Sequence, residues 1–189
     1  MNRKLVRDNI PSIAKEFGST NRFDVYESDE EYIYGLANKI IEEGLEVCDE
    51  LESRLPEDDN EILSLLEELG DLLEVLDSCA GIKRVDDSSK AIQIICSDDL
   101  FDLQAKYALF DYGDFAALFR TSYLALYTAF LANNENETTN FEREMYTVCS
   151  IIVSLVLNKG ISVEELKNLQ NEKWVERGGF DYKYYMILP

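Results

Sequence analysis

The spacing of the apolar residues is the feature that most constrains the fold. These residues recur mostly three and four positions apart, and only three prolines and nine glycines interrupt the 189 residues. This spacing matches the 3.6-residue turn of an α-helix and not the alternation of a strand. The sequence therefore predicts an all-α protein, a single domain over residues 1–189, whose antiparallel helical hairpins form a four-helix-bundle-like core.

Two long helices are predicted in the first half of the chain. The first runs from residue 29 or 30 to residue 54, because Ser28 is a capping residue at its start. The second runs from residue 59 or 60 to residue 79 and ends before Gly81. The short polar turn at 57–60 makes these two helices antiparallel neighbours.

Shorter elements are predicted in the second half. The segment 90–96 is either helix or strand, and its pattern leaves both open. Helices follow at 114–132, from 141 to Gly160 and at 162–176, and the aromatic tail 180–188 is a strand that can pair with 22–27.

Charge and composition exclude several kinds of chemistry. The chain has no histidine, which excludes a histidine-based triad and a histidine-ligated zinc site. Its formal charge of −20, from 18 basic and 38 acidic residues, argues against nucleic-acid binding. The four cysteines form no CxxC motif, and the longest apolar run is 151–157. We therefore expect reduced thiols, no membrane partner and a cytoplasmic location.

Two pairs of acidic residues stand out on the two long helices. Glu43 with Glu46, and Glu68 with Asp71, are each spaced i, i+3, which places both carboxylates of a pair on one helical face. If the helices pack antiparallel, the two pairs converge, and such crowded carboxylates require protons or a cation. An all-oxygen ligand set selects a hard ion such as Mg²⁺ or Mn²⁺. For either pair alone, a solvated acidic face is the alternative.

These residues resemble the signature of the MazG-like all-α nucleoside triphosphate pyrophosphohydrolases, which is EExxE followed by ExxD. Here the signature residues are Glu42, Glu43 and Glu46, then Glu68 and Asp71. The chain also resembles the phosphoribosyl-ATP pyrophosphohydrolase-like branch of that superfamily at both ends. The end motifs are KLVRDNIP at 4–11 and NEKWVERGGF at 171–180.

The resemblance implies Mg²⁺-dependent cleavage of a nucleoside triphosphate between its α- and β-phosphates, which gives a monophosphate and pyrophosphate. It implies that the metal ligands are Glu43, Glu46, Glu68 and Asp71. The resemblance also leaves Glu42 available for a second ion or for orienting water. Without histidine the general base must be a carboxylate, and Glu42 is the candidate. The basic residues of the end motifs are expected to contact phosphate oxygens, with pairing to local acids such as Asp8 as the alternative. These residues are Lys4, Arg7, Lys173 and Arg177.

Two other functions stay open at this point. One is a non-catalytic nucleotide-binding or regulatory module that retains the carboxylate site. The other is a related enzyme, such as a dUTP or phosphoribosyl-ATP pyrophosphohydrolase. The base preference is not readable from the sequence.

The segment 83–158 departs from the family pattern as a long helical insertion. A helix, a polar turn, a second helix and a Gly-Ile pair follow one another twice along the chain, and the Gly-Ile pairs are at 81–82 and 160–161. The insertion is therefore either part of a degenerate second hairpin or an ordinary helix pair. With the two Gly-Ile pairs superposed, Thr147 and Ser150 fall where the ExxD acids stand. This half could not hold the metal. It could supply a packing surface that relatives obtain from a partner, so we expect a homodimer or a pseudo-dimeric monomer.

Overall fold

The structure is a computed structural model, and it describes residues 3–53, 59–86, 90–95, 110–132 and 137–188. Within these residues the chain is mostly helical and has one small sheet. The helices are α1 (Ile10–Glu16), α2 (Asp29–Ser53), α3 (Asp59–Lys83), α4 (Ala91–Ile95), α5 (Tyr112–Leu131), α6 (Glu137–Asn158) and α7 (Val163–Arg177). The strands are β1 (Arg3–Leu5), β2 (Arg22–Val25) and β3 (Tyr184–Ile187).

The predicted long helices are confirmed, and their caps explain where they begin. The backbone N–H of Glu31 donates to the Ser28 hydroxyl ahead of α2. A full capping box of Ser162 and Glu165 opens α7. The segment 90–96, which the pattern left undecided, is helical at α4. The predicted turn at 57–60 lies largely outside the described residues.

The predicted end of the second helix is wrong. Helix α3 continues through Gly81 to Lys83, and the residue in the left-handed conformation is Arg84, with φ 56°. The N–H of Val85 donates to the Ala80 carbonyl and that of Arg84 to the Gly81 carbonyl, which is a Schellman arrangement. Gly160 closes α6 with the same arrangement, as predicted. When the two helix ends are superposed, Arg84 therefore matches Gly160. Superposing the Gly-Ile pairs instead matches Gly81 with Gly160, which is a shift of three residues.

The small sheet joins both ends of the described chain. Its strand order is β1-β3-β2, and both pairings are antiparallel. The pairing of β3 with β2 confirms the predicted contact between the tail and 22–27. The sequence did not predict β1 or α1. Lys4 and Phe23 both pair with Met186, so these three side chains form one row on the same face of the sheet.

Helix α2 lies between α3 and α5, and α5 packs in turn against α6. Tyr32, near the start of α2, interacts electrostatically with Cys79 near the end of α3, while Glu43 lies beside Glu68 further along. Helices α2 and α3 therefore run in opposite directions. No single helix in the described residues is long and apolar enough to cross a bilayer, although α6 and α7 together, across a 114° bend, have the length and composition.

Gly44 determines how closely α5 approaches α2. A Cβ at this position would lie 2.7 Å from the Tyr123 ring, far inside van der Waals contact. The aromatic residues of α5 recur at the predicted helical spacing, and Phe115, Phe119 and Tyr123 are buried against this part of the molecule. Because Gly44 stands between Glu43 and Glu46, the close contact with α5 and the acidic residues share one turn of α2.

Candidate metal centre

Two clusters of carboxylates lie where α2 and α3 meet, and both contain Glu43. One is formed by Glu42, Glu43 and Glu46 on α2, and the other by Glu43, Glu68 and Asp71 across the two helices. Within each cluster, one oxygen of every residue lies within 4.8 Å of the others. The structure thus brings together all the acids that the sequence analysis singled out. Glu43 lies at the centre, and its residue exposure is only 4%.

The fold explains this convergence. Each acidic pair occupies one face of its helix, and the antiparallel packing of α2 on α3 turns the two faces towards each other. Glu43 lies on the buried side of α2, whereas Glu46 is exposed and Glu68 and Asp71 are half-buried. The centre is therefore accessible from solvent on one side.

Burial and crowding perturb these carboxylates. Burial raises the pKa of Glu43 to about 7; Lys39 opposes the increase, and Glu46 adds to it. Burial also raises the pKa of Glu46 and that of Glu68, and the neighbouring carboxylates contribute further. Each shift shows that a further negative charge is unfavourable here without a cation.

Lys39 neutralises part of this charge. Its ammonium group forms an ion pair with Glu43 and another, at 2.9 Å, with Glu42. Burial lowers the pKa of Lys39, but the two carboxylates outweigh burial and the pKa is raised. The pKa of Glu43 is raised as well, although an ion pair alone would lower it. The pKa of both partners can be raised, because Lys39 faces two acids, whereas Glu43 is more buried and has Glu46 as a neighbour. We therefore regard Lys39 as protonated.

Asp71 is surrounded by the basic residues of the two end motifs. Arg7 forms an ion pair with its Oδ1 atom, and the Nζ atom of Lys173 lies 2.9 Å from its Oδ2 atom. Arg177 approaches the same oxygen at 3.8 Å. The exposures of Arg7 and Lys173 are 7% and 6%, and the Lys173 ammonium also donates to the Glu67 carbonyl at 2.8 Å.

The fourth predicted basic residue, Lys4, contacts Glu42 at 2.6 Å. Burial raises the pKa of Glu42, but Lys39 and Lys4 outweigh it and the pKa is lowered. Asp8, the local acid considered for Lys4 and Arg7, instead accepts the backbone N–H groups of Asp181 and Tyr182. The four basic residues therefore meet at the acidic centre, where each forms an ion pair with a carboxylate.

The donor set fits a hard divalent ion. Two oxygens that share one Mg²⁺ or Mn²⁺ at about 2.0–2.2 Å are at most about 4.4 Å apart. The oxygens of each cluster lie within 4.8 Å of one another, so a small adjustment of the side chains brings them into that range. All the available donors are carboxylate oxygens, the ligand type that such ions prefer. Glu43, Glu68 and Asp71 could hold the ion directly, and Glu46 lies close enough to complete the set.

Sequence reasoning missed two buried charged residues, Lys39 in the centre and Glu74 beside it. Lys39 is buried between Leu36 and Ile40, and a lysine within an apolar arc is the signal that could have identified it. Glu74 is buried one turn beyond Asp71. Burial raises the pKa of Glu74 to about 7, while Arg7 opposes the increase.

A cavity of about 370 Å³ opens beside the centre, and Glu43, Asp71, Lys39 and Arg7 line part of it. Pockets of this size accommodate small molecules. Comparison with family models, with curated proteins and with solved structures gave no match for this chain.

Proposed function

We propose that this protein is a Mg²⁺-dependent nucleoside triphosphate pyrophosphohydrolase of the MazG-like kind, which cleaves the α–β phosphate linkage. The observation that carries the proposal is the position of Glu43, a buried carboxylate shared by two acidic clusters on different helices. A solvated acidic face would not bury its central carboxylate or pair it with a buried lysine such as Lys39.

In this proposal Glu43, Glu46, Glu68 and Asp71 hold the ion. The chemistry that a bound Mg²⁺ or Mn²⁺ supplies is neutralisation of phosphate charge and a lowered pKa for water. Glu42 accepts the proton of the attacking water as general base. Its contacts with Lys4 and Lys39 must loosen for this role, because they lower its pKa.

The basic residues act as counter-charges that exchange partners. Without a bound ion, Lys39 and Lys173 neutralise Glu43 and Asp71. When the acids bind a divalent ion, these ammonium groups and the Arg7 guanidinium become available for the phosphate oxygens, which they bind by charge-assisted hydrogen bonds. These basic groups therefore have carboxylate partners without substrate and phosphate partners with it.

The proposal also includes the way in which the helices pair into hairpins and pack into a bundle. Helices α2 and α3 form one hairpin and α5 and α6 a second, and the observed contacts of α2 with α5 and of α5 with α6 support a bundle of these four helices. The second hairpin then takes the place of a partner subunit, which gives a pseudo-dimeric monomer. Sedimentation equilibrium should give a monomer mass near 21.7 kDa. A tight dimer formed through α2 and α3 would contradict this arrangement.

A second candidate is a nucleotide-binding module without turnover. The observation that favours it is the shell of basic residues around Asp71, which competes with an ion for the same oxygens. A third candidate, a dUTP or phosphoribosyl-ATP pyrophosphohydrolase, differs only in its substrate.

One experiment separates these candidates. Pyrophosphate release is measured with Mg²⁺ over a panel of ribo- and deoxynucleoside triphosphates and phosphoribosyl-ATP. We expect release from several triphosphates, dependent on the ion and abolished by EDTA. Nucleotide binding without any product would support the module, and release from a single substrate would support the third candidate.

A further inference from the structure

We propose that the cavity beside the acidic centre is a nucleoside pocket, in which the base of the nucleotide lies between α1 and the sheet. The proposal rests on the proposed function for the polyphosphate end and adds the binding site of the base. It is carried by the distribution of polar and apolar side chains along the cavity wall.

One end of the cavity is charged. Glu43, Asp71, Lys39 and Arg7 line this end, and Lys4 belongs to it as well. The Nη1 atom of Arg7 is buried and has no hydrogen-bond partner among the described residues, so the guanidinium retains a donor for a further acceptor oxygen. A phosphate chain with its divalent ion matches this end in charge.

The other end of the cavity is apolar. Met186 and Phe23 line it from the sheet, and Ile10 and Ala14 line it from α1. The row Lys4, Met186, Phe23 crosses the sheet from β1 to β2, a distance of about two strand spacings or ~10 Å. The wall therefore changes from charged to apolar over about the distance between the phosphates and the base of a nucleotide.

Helix α1 is arranged as the second wall of a slot. Ile10 and Ala14 are spaced i, i+4 and so lie on one face of the helix. No residue of α1 is buried, although that face is apolar and points to the cavity. A flat ring inserted between this face and the Met186–Phe23 row would cover both apolar surfaces. Of the side chains at the apolar end, Asn21 is the polar one, and its amide can both donate to and accept from a base edge.

The ligand class that fits is a nucleoside polyphosphate with an uncharged base. Inorganic polyphosphate would satisfy the charged end only, and an apolar tail would satisfy the other end only. The difference in affinity between a nucleotide and inorganic tripolyphosphate therefore measures the contribution of the slot directly.

The test is calorimetric binding, with Mg²⁺, of α,β-methylene analogues of four nucleoside triphosphates and of inorganic tripolyphosphate. In the wild-type protein we expect the analogues to bind at least about tenfold more tightly than tripolyphosphate. Ala14→Phe fills the slot and should remove this advantage, leaving tripolyphosphate affinity within twofold. Phe23→Ala should reduce the advantage in the same direction, and it serves as a second variant if Ala14→Phe fails to fold.

Phe17→Ala is the matched control, because Phe17 follows α1, is 83% exposed and does not line the cavity. Phe17→Ala should change neither the affinity for the analogues nor the affinity for tripolyphosphate. Equal wild-type affinities for the analogues and tripolyphosphate, or unchanged analogue binding in Ala14→Phe and Phe23→Ala, would overturn the proposal. Failure of the proposed activity is seen separately, as absence of pyrophosphate release while the analogues keep their advantage.

Discussion

The helix pairs α2–α3 and α5–α6 satisfy their buried polar groups in different ways. In α5 and α6, the buried hydroxyls of Ser122, Ser150 and Ser154 each donate to a carbonyl one turn earlier in the same helix. In α2 and α3 the buried polar residues are Lys39, Glu43 and Glu74, which are charged.

A hydroxyl satisfied within its own helix costs little, whereas a buried charge requires a partner. The α2–α3 pair therefore carries a cost in stability that the α5–α6 pair does not. Superposing the pairs at Arg84 and Gly160 places Glu144 on Glu68 and Thr147 on Asp71. Packing alone is achieved in the described residues of α5 and α6 without buried charges, so the proposed metal site gives the charges of α2 and α3 a role that packing does not require.

The largest expected effect is on turnover. Glu68→Gln should reduce pyrophosphate release about a thousandfold, the equivalent of ~4 kcal/mol of barrier, because it removes a proposed ligand of the ion. Glu144→Gln, at the corresponding position of α6, should leave the rate within twofold. The measurement is steady-state release with Mg²⁺. Rates within tenfold of each other for the two variants would remove the functional distinction between the helix pairs.

The next effect is on stability, and it should have opposite signs at two acids of the centre. Asp71→Asn should lower the free energy of unfolding by about 3 to 5 kcal/mol, because it leaves Arg7 and Lys173 buried without their carboxylate. Glu46→Gln should raise it slightly, since burial and the neighbouring carboxylates raise the pKa of Glu46. Urea unfolding without metal measures both. Stabilisation by Asp71→Asn would show that repulsion between acids outweighs its ion pairs.

Glu74 should make stability depend on pH. Burial raises its folded pKa from 4.5 to about 7, so between these values the folded chain binds more protons than the unfolded chain. Stability contributed by the protonated form is therefore lost as pH rises from about 4.5 to 7. Glu74→Gln cannot ionise and should be more stable than the wild type at pH 8 by up to about 3 kcal/mol, with little difference at pH 4. Urea titrations at both pH values check this, and a constant difference would contradict it.

The smallest effect concerns the contact between the two helix pairs. Gly44→Ala should lower stability by about 2 kcal/mol, because the new methyl group meets the buried Tyr123 ring. Gly81→Ala is the control: it lies in α3 with no atom within 4 Å of the new Cβ and should gain up to about 1 kcal/mol from helix propensity. Thermal unfolding of both variants decides this. A neutral Gly44→Ala would show that α5 can move away from α2 at little cost.

Local patterns predicted the helices well, because periodicity and caps act within a few residues. The capping box of Ser162 and the helix end at Gly160 are examples. The end of α3 was mispredicted because Arg84, which is not a glycine, adopts the left-handed conformation. The small sheet could be predicted only in part, since β1 has three residues and no periodicity of its own.

The candidate site, like the fold, was predictable where it depends on local sequence and not where it depends on distant residues. The convergence of the acids could be predicted, because each pair shares a helical face and the helices are neighbours along the chain. The shell around Asp71 could not, because Arg7 and Lys173 lie 64 and 102 positions away in sequence. Their contact with Asp71 depends on how β1 packs against α2 and how α7 packs against α3, which no local pattern specifies.

Binding of a divalent ion to the α2–α3 centre is the central claim, and titration calorimetry with Mn²⁺ tests it most directly. We expect the wild-type protein to bind one ion, Glu43→Gln to bind at least about a hundredfold more weakly, and Glu144→Gln to bind like the wild type. Absence of Mn²⁺ binding by the wild-type protein, or equal affinities for the wild type and Glu43→Gln, would contradict the claim.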